Sequence, residues 1–195
     1  MFLALAVTGV ALDVLTKVWV VARLQPGEPV PLLGGLLTLR LIRNPGAAFS
    51  SGEGFTAVFA VAAVVVLVFI LTRLAPRIGH PGWAVALGLL AAGVAGNLVD
   101  RVFRAPGVLR GHVVDFLQLP HWPIFNVADA CITTGAVLVM VLAVVKNVGI
   151  SGERYTSTAP AASAADGSAP TSTSPAPTTT PTTPTAEPVD EAERG

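Results

Sequence analysis

Four long apolar runs separated by polar connections dominate the chain and leave few folds open to it. They cover about residues 1–22, 55–74, 82–99 and 127–145. At ~1.5 Å per residue, runs of roughly 18–22 residues cross a hydrocarbon core of about 30 Å. Lipid offers the backbone no hydrogen-bond partner, so a helix, which satisfies its own amides, is the expected form of each run. Only 12% of the 195 residues are charged, about half the share of a soluble domain. The expectation is an all-α membrane protein with four transmembrane helices. A net charge of zero gives no electrostatic footprint for nucleic acid. Cys131 is the single cysteine, which excludes an intrachain disulfide and a cysteine metal cluster.

The alternative for the first run is a cleavable signal peptide. It lacks a basic n-region and a clear small-x-small site before Arg23, and it holds Asp13 and Lys17, so a retained span is expected. The "MFLAL" opening leaves little chain before that span, which points to a true start upstream. Residues 23–54 form the first polar connection. There "LLTLRLIRNPGAAFS" reads as a short strand followed by an Asn-Pro-Gly turn, a small platform outside the membrane. Residues 75–81 form a tight polar turn, and residues 100–126 a second long connection. From about Ser151 the chain becomes rich in Ser, Thr, Pro and Ala. Such a segment buries too little apolar surface to offset its ordering entropy. The expected division is a membrane domain over 1–150 and a disordered tail over 151–195.

Charges gather at the ends of the runs. Asp115 follows Val113-Val114, and Asp129 opens the fourth run after "FNVA". Pro120 and Pro123 lie between them, so no single helix holds both, although a loop returning to the same interface would bring them together. Two carboxylates a few ångströms apart cannot both ionise readily, and the pair shares a proton. Such a dyad can activate water against an amide and protonate the leaving nitrogen. The alternative is that both aspartates cap helices or pair with Arg101, Arg104 or Arg110. Asn97 and Arg101, four apart at the end of the third run, share a helix face. They suit an amide or ester contact and a phosphate or acidic group, while Asp100–Arg101 also reads as a plain charge cluster. Asp13 and Lys17, also four apart, read as a structural pair inside an apolar helix. Asn44 lies in a turn beside the small residues Gly46, Ala47 and Ala48, where an extended peptide could approach, or which is an ordinary turn. His112 and His121 flank Asp115, but the chain has no H-E-x-x-H helix, and no metal is expected. No G-x-S-x-G surrounds Ser50 or Ser51, and Cys131 reads as packing.

"DVLTK", "RNPGAAFS", "GNLVDRV", "VVDFL" and "FNVADACIT" occur in this order on the four-span frame. The set resembles lipoprotein signal peptidase (signal peptidase II), a bacterial aspartic endopeptidase family of the inner membrane. The resemblance covers residues from about 10 to 148 and leaves out the tail. It implies that Asp115 and Asp129 are the catalytic dyad. It implies that Asn44, Asn97, Arg101 and Asn126 contact substrate or support the dyad, and that Asp13, Lys17 and Asp100 are mainly structural. The implied substrate is a prolipoprotein whose cysteine already carries diacylglycerol, cut just before that cysteine. No cofactor is implied, and membrane lipid and the cyclic peptide globomycin are implied partners. The implied active site faces outward over a small extracytoplasmic β platform, with both termini cytoplasmic. The positive charges argue the other way. Arg23, Arg40, Arg43, Arg101, Arg104 and Arg110 lie in or beside the long loops, against Arg73, Arg77, Lys146 and Arg154 at the opposite end.

Two other classes stay in view. A proton-coupled carrier would use Asp13, Asp100, Asp115 and Asp129 as relay groups, but carriers break their helices near the midplane, and no apolar run here is broken by proline. A membrane scaffold would present the Thr/Pro-rich tail and would lose its role with residues 151–195.

Overall fold

The computed structural model describes residues 1–46 and 54–154. Ala47, Ala48, Ser50 and Ser51, and the tail from residue 155, lie outside the described residues. Among the described residues four α-helices form: α1 (Phe2–Arg23), α2 (Gly54–Phe69), α3 (Pro81–Phe103) and α4 (Val127–Met140). A wider π turn extends α2 over Ile70–Leu74 and α4 over Val141–Val145. The apolar spans are thereby lengthened to Thr56–Arg77 and Val127–Val145, and all four are long enough to cross a bilayer.

Local chemistry sets the helix ends. Pro81 opens α3, where its missing N–H is no loss, and His80 caps it by accepting the Gly82 N–H on Nδ1 at 3.1 Å. Asn126 and Asp129 form a reciprocal capping box at the start of α4. Leu3, Val7, Leu12 and Leu15 of α1, Val58, Val61 and Val65 of α2, and Val137 and Met140 of α4 point outward. These are the faces a bilayer covers.

Half of the α3 span is buried, against 11–17% of the other three, so α3 is the central helix on which the rest pack. Packing apolar side chains against each other gains little over packing them against lipid, so close approach of small residues takes over. A Cβ on Gly93 would lie 2.3 Å from the Ala128 carbonyl, and one on Gly9 would lie 2.6 Å from the Ala92 Cβ. Only glycine permits either approach.

At one end of the bundle sits a three-stranded antiparallel sheet, ordered β1 (Val30–Leu32), β2 (Leu37–Asn44), β3 (Val113–Gln118). The strand expected in the first connection is β2. Its partner β3 comes from the second connection, where sequence reading placed no strand. Ile42 pairs with Asp115 and Asn44 with Val113, after a bulge between Leu39 and Ile42. Leu41, Val114 and Phe116 pack on Val20 near the end of α1, which seats the sheet on the helices.

At the opposite end the chain beyond α4 turns back on itself. Val148 bridges Arg154, Gly149 N–H donates to the Glu153 carbonyl at 2.7 Å, and Gly79 N–H donates to the Ile150 carbonyl at 3.0 Å. The Trp83 indole donates to the Val148 carbonyl at 2.9 Å. Residues Ser151 to Arg154 thus belong to this clasp, although the composition has already changed there.

Candidate active site

The route from Asp115 to Asp129 is short in space because the chain doubles back. After β3 the backbone turns, with Trp122 N–H donating to the Leu119 carbonyl at 3.1 Å. Phe125 then returns beside Leu117, with paired backbone bonds of 2.8 and 2.9 Å. Pro120 and Pro123 fall in this turn, where no ladder N–H is required. One residue on is Asn126, which is fully buried. Its Nδ2 donates to Asp115 Oδ1 at 2.7 Å. Its Oδ1 accepts the Asp129 N–H at 2.9 Å, and its own N–H donates to Asp129 Oδ2 at 3.2 Å. A single asparagine therefore bonds both aspartates.

Two further amides complete the ring. Asn44, at the end of β2, donates from Nδ2 to Asp115 Oδ2 at 2.8 Å and accepts the Gly46 N–H at 2.8 Å. It is a turn residue and an aspartate partner at once. Asn97 on α3 donates to Asp129 Oδ1 at 2.8 Å. Its own Oδ1 accepts from Lys17 Nζ at 3.1 Å and from Asn126 Nδ2 at 3.2 Å. Flipping this amide would set its NH2 against two donors, so the orientation toward Asp129 is fixed.

Beneath these groups lies a buried ionic cluster. Lys17 lies 2.8 Å from Asp13 and 2.9 Å from Asp100, and Arg104 pairs with the other oxygen of Asp100. The two acids also accept backbone N–H groups, Asp13 from Ala128 at 2.9 Å and Asp100 from Val114 at 3.0 Å. Asp13 Oδ2 has the ammonium close by without an aligned hydrogen bond, so its interaction there is Coulombic. Two acids face two bases, which is the condition for burying charge at tolerable cost. The cluster ties α1 to α3, to β3 and to the first turn of α4. Asp100 is paired with Lys17 and Arg104 rather than with its neighbour Arg101, which corrects the Asp100–Arg101 cluster reading. Arg104 was missed as its partner, although its i, i+4 spacing from Asp100 was a readable signal.

Arg101 is half-buried, with its guanidinium carbon 5.6 Å from the centre of the Phe59 ring, within cation–π range. Its Nη1 is buried with no hydrogen-bond partner among the described residues. None of the ion pairs among the described residues joins Asp115 or Asp129 to an arginine. The capping alternative holds for Asp129, which is the third helical residue of the α4 box. Among the described residues no group of three His, Cys, Asp or Glu side chains is arranged to hold a metal, His112 and His121 included.

Asp115 is 3% exposed. Burial pushes its carboxyl up to about 6, the Asp129 charge adds to the rise, and the donors of Asn44 and Asn126 and the Lys17 charge oppose it. A cavity of ≈ 390 Å³ opens onto it, lined by Ile42, Arg43, Asn44, Pro45, Pro123 and Ile124. A buried carboxyl with a raised pKa, a second carboxyl one asparagine away and an adjoining hollow are features that an acid–base site requires.

Residues 5–145 match the family described as Signal peptidase (SPase) II. A protein of Mycobacterium avium (strain 104) called lipoprotein signal peptidase is 51% identical over 146 residues, 74% of this chain and 79% of that one. A protein of the same name from Streptomyces coelicolor is 47% identical over 139 residues, 71% of this chain and 68% of that one. A solved structure described as a bacterial membrane enzyme superposes with a TM-score of 0.66 at 28% identity, over 73% of this chain and 92% of that one. Family match, relatives and fold agree: this chain, a multi-pass membrane protein, belongs to the signal peptidase II family of proteases.

Proposed function

We propose that the chain removes signal peptides from diacylglyceryl-modified prolipoproteins, cutting before the lipidated cysteine, with Asp115 and Asp129 as its catalytic dyad. The observation that carries this reading is the sharing of buried Asn126 by both carboxylates beside the cavity at the sheet end of the bundle. One carboxylate takes a proton from a bound water as its oxygen attacks the scissile carbonyl. The protonated partner then gives its proton to the departing amine as the C–N bond breaks. Two asparagine donors hold Asp115, and Asn97 with the α4 cap holds Asp129, so neither carboxylate must reorganise during the step. Asn44 also lines the cavity at the end of β2, where an extended peptide main chain would run. The orphaned Nη1 of Arg101 suits an oxygen of the substrate or its lipid.

In this reading the sheet end faces outward, the helix ends near Met1, Arg77 and Lys146 face the cytoplasm, and the substrate's apolar segment and acyl chains stay in the bilayer. A globomycin-type cyclic peptide would occupy the same cavity and block turnover. A proton carrier is disfavoured because Asp13 and Asp100 are tied to Lys17, and Asp100 also to Arg104, in one buried ionic cluster rather than spaced as a relay. The test is cleavage of a diacylated lipobox peptide by purified protein, with and without globomycin. Asp115→Asn and Asp129→Asn should each lower turnover by about 10³-fold or more while leaving membrane insertion intact. Normal cleavage by either variant would remove that residue from the dyad.

A further inference from the structure

We propose that the bundle end away from the aspartates carries a binding site for the phosphate of an anionic phospholipid. A cavity of ≈ 460 Å³ lies there, lined by His80, Lys146, Arg154, Leu142, Val145 and Val148. Two of its six lining residues are cations and none is acidic. Neither Lys146 nor Arg154 is among the ion pairs of the described residues. Glu153, the acid nearest in sequence, is exposed and does not line the cavity.

His80 adds a directed donor. Its Nδ1 accepts the Gly82 N–H, so the ring proton sits on Nε2, which has no partner among the described residues. The dipole of α3 presents its positive end at His80, and the final turns of α4 present carbonyls near Lys146. These contributions oppose each other, so the side chains decide the sign of the site.

The remaining walls select the ligand's other half. Leu142, Val145 and Val148 are apolar, and the neighbouring Val144 is 70% exposed on the lipid-facing side of α4. A free phosphate gains nothing from such walls, whereas a phospholipid matches both its headgroup and the start of its chains to them. The cavity is also built rather than accidental. The clasp that carries Val148 and Arg154 is held by the Trp83 indole, by Gly79 and by its own bridge. A Cβ on Gly79 would stand 2.3 Å from the Ser151 carbonyl, so the clasp is pressed against the α2–α3 turn.

The experiment titrates the full chain in a neutral detergent with dioctanoylphosphatidylglycerol, dioctanoylphosphatidylcholine or inorganic phosphate. Using the full chain includes any competition from its own acidic end (Glu187, Asp190, Glu191 and Glu193). Phosphatidylglycerol should bind, and each of Lys146→Gln and Arg154→Gln should weaken it about fivefold, with about 25-fold for the pair. Binding should weaken with added salt. A control pair at the other end, Arg40→Gln with Arg110→Gln, makes the same change in net charge at exposed positions and should leave affinity within about twofold. Turnover of the lipobox peptide by the Lys146/Arg154 pair should be unchanged, which separates lost binding from lost folding. Wild-type affinity in that pair, equal loss in the control pair, or equal binding of phosphatidylcholine would overturn the site. Inorganic phosphate binding as well as phosphatidylglycerol would overturn the lipid as its source.

Discussion

Asn126 donates to Asp115 with one end of its amide and caps Asp129 with the other, so the spacing of the two carboxylates is set by one rigid planar group. That arrangement holds Asp115 in a buried position that opposes its charge. Its folded-state pKa of about 6 lies above the ordinary 3.8, so the folded state binds the proton more tightly than the unfolded state. The stability this group contributes is complete below about pH 4 and is lost as pH rises through about 6, at about 1.4 kcal/mol per unit between. Acidification from pH 7 to pH 5 should therefore raise the melting temperature of the wild type more than that of Asp115→Asn. Parallel melting curves across that range would show that Asp115 carries no such burden. A residue proposed for the chemistry is thus one whose charged form the fold disfavours.

At the scale of elements, α3 organises the bundle because its small residues let α1 and α4 approach closely. Gly93 touches the α4 backbone, and Gly96 faces Asp13 and Ala128, where the ionic cluster meets the α4 cap. Gly93→Ala should cost about 1–3 kcal/mol, because the Ala128 carbonyl that it meets is backbone and cannot rotate away. Gly107→Ala, in the loop after α3, has no atom within 4 Å and should stay within about 0.5 kcal/mol of wild type. Thermal melting in one detergent compares the pair. Equal loss in both would mean that helix approach does not depend on Gly93. The sheet answers to the same logic: β3 is held by β2 on one side and by Phe125 on the other. Asp115 therefore sits on a paired strand, not on a loose loop.

Across the whole molecule the family match ends at residue 145, and the clasp closes the described chain at Arg154. A chain ending at Arg154 should cleave the lipobox peptide at the full-length rate. A chain ending at Lys146 loses the Trp83–Val148 hydrogen bond and the burial of Val148 against Trp83 and Leu87. It should lose about 2–3 kcal/mol of stability while Asp115 and Asp129, at the far end, keep their geometry. A melting comparison of the two truncations, alongside their turnover, checks both statements. A drop in turnover on removing residues 155–195 would instead give the tail a part in the reaction.

Hydropathy and i, i+4 spacing act within a few residues, so the sequence alone determined the four spans, the α4 start at about Val127 and the Asp13–Lys17 pair. It also placed the polar motifs at the ends of the runs, where the family resemblance could attach to them. It did not disclose β3, because a strand is defined by a partner, and that partner comes from the first connection. It did not disclose that Asp100 belongs to Lys17 and Arg104, or that Asn97 is oriented by an ammonium from α1. Those assignments join residues far apart in the chain, such as Asn44 to Asp115 across 71 positions and Asp13 to Ala128 across 115. Only the packed bundle decided them, because a buried polar group takes whichever partner the closed fold brings within reach, and sequence distance does not enter that choice.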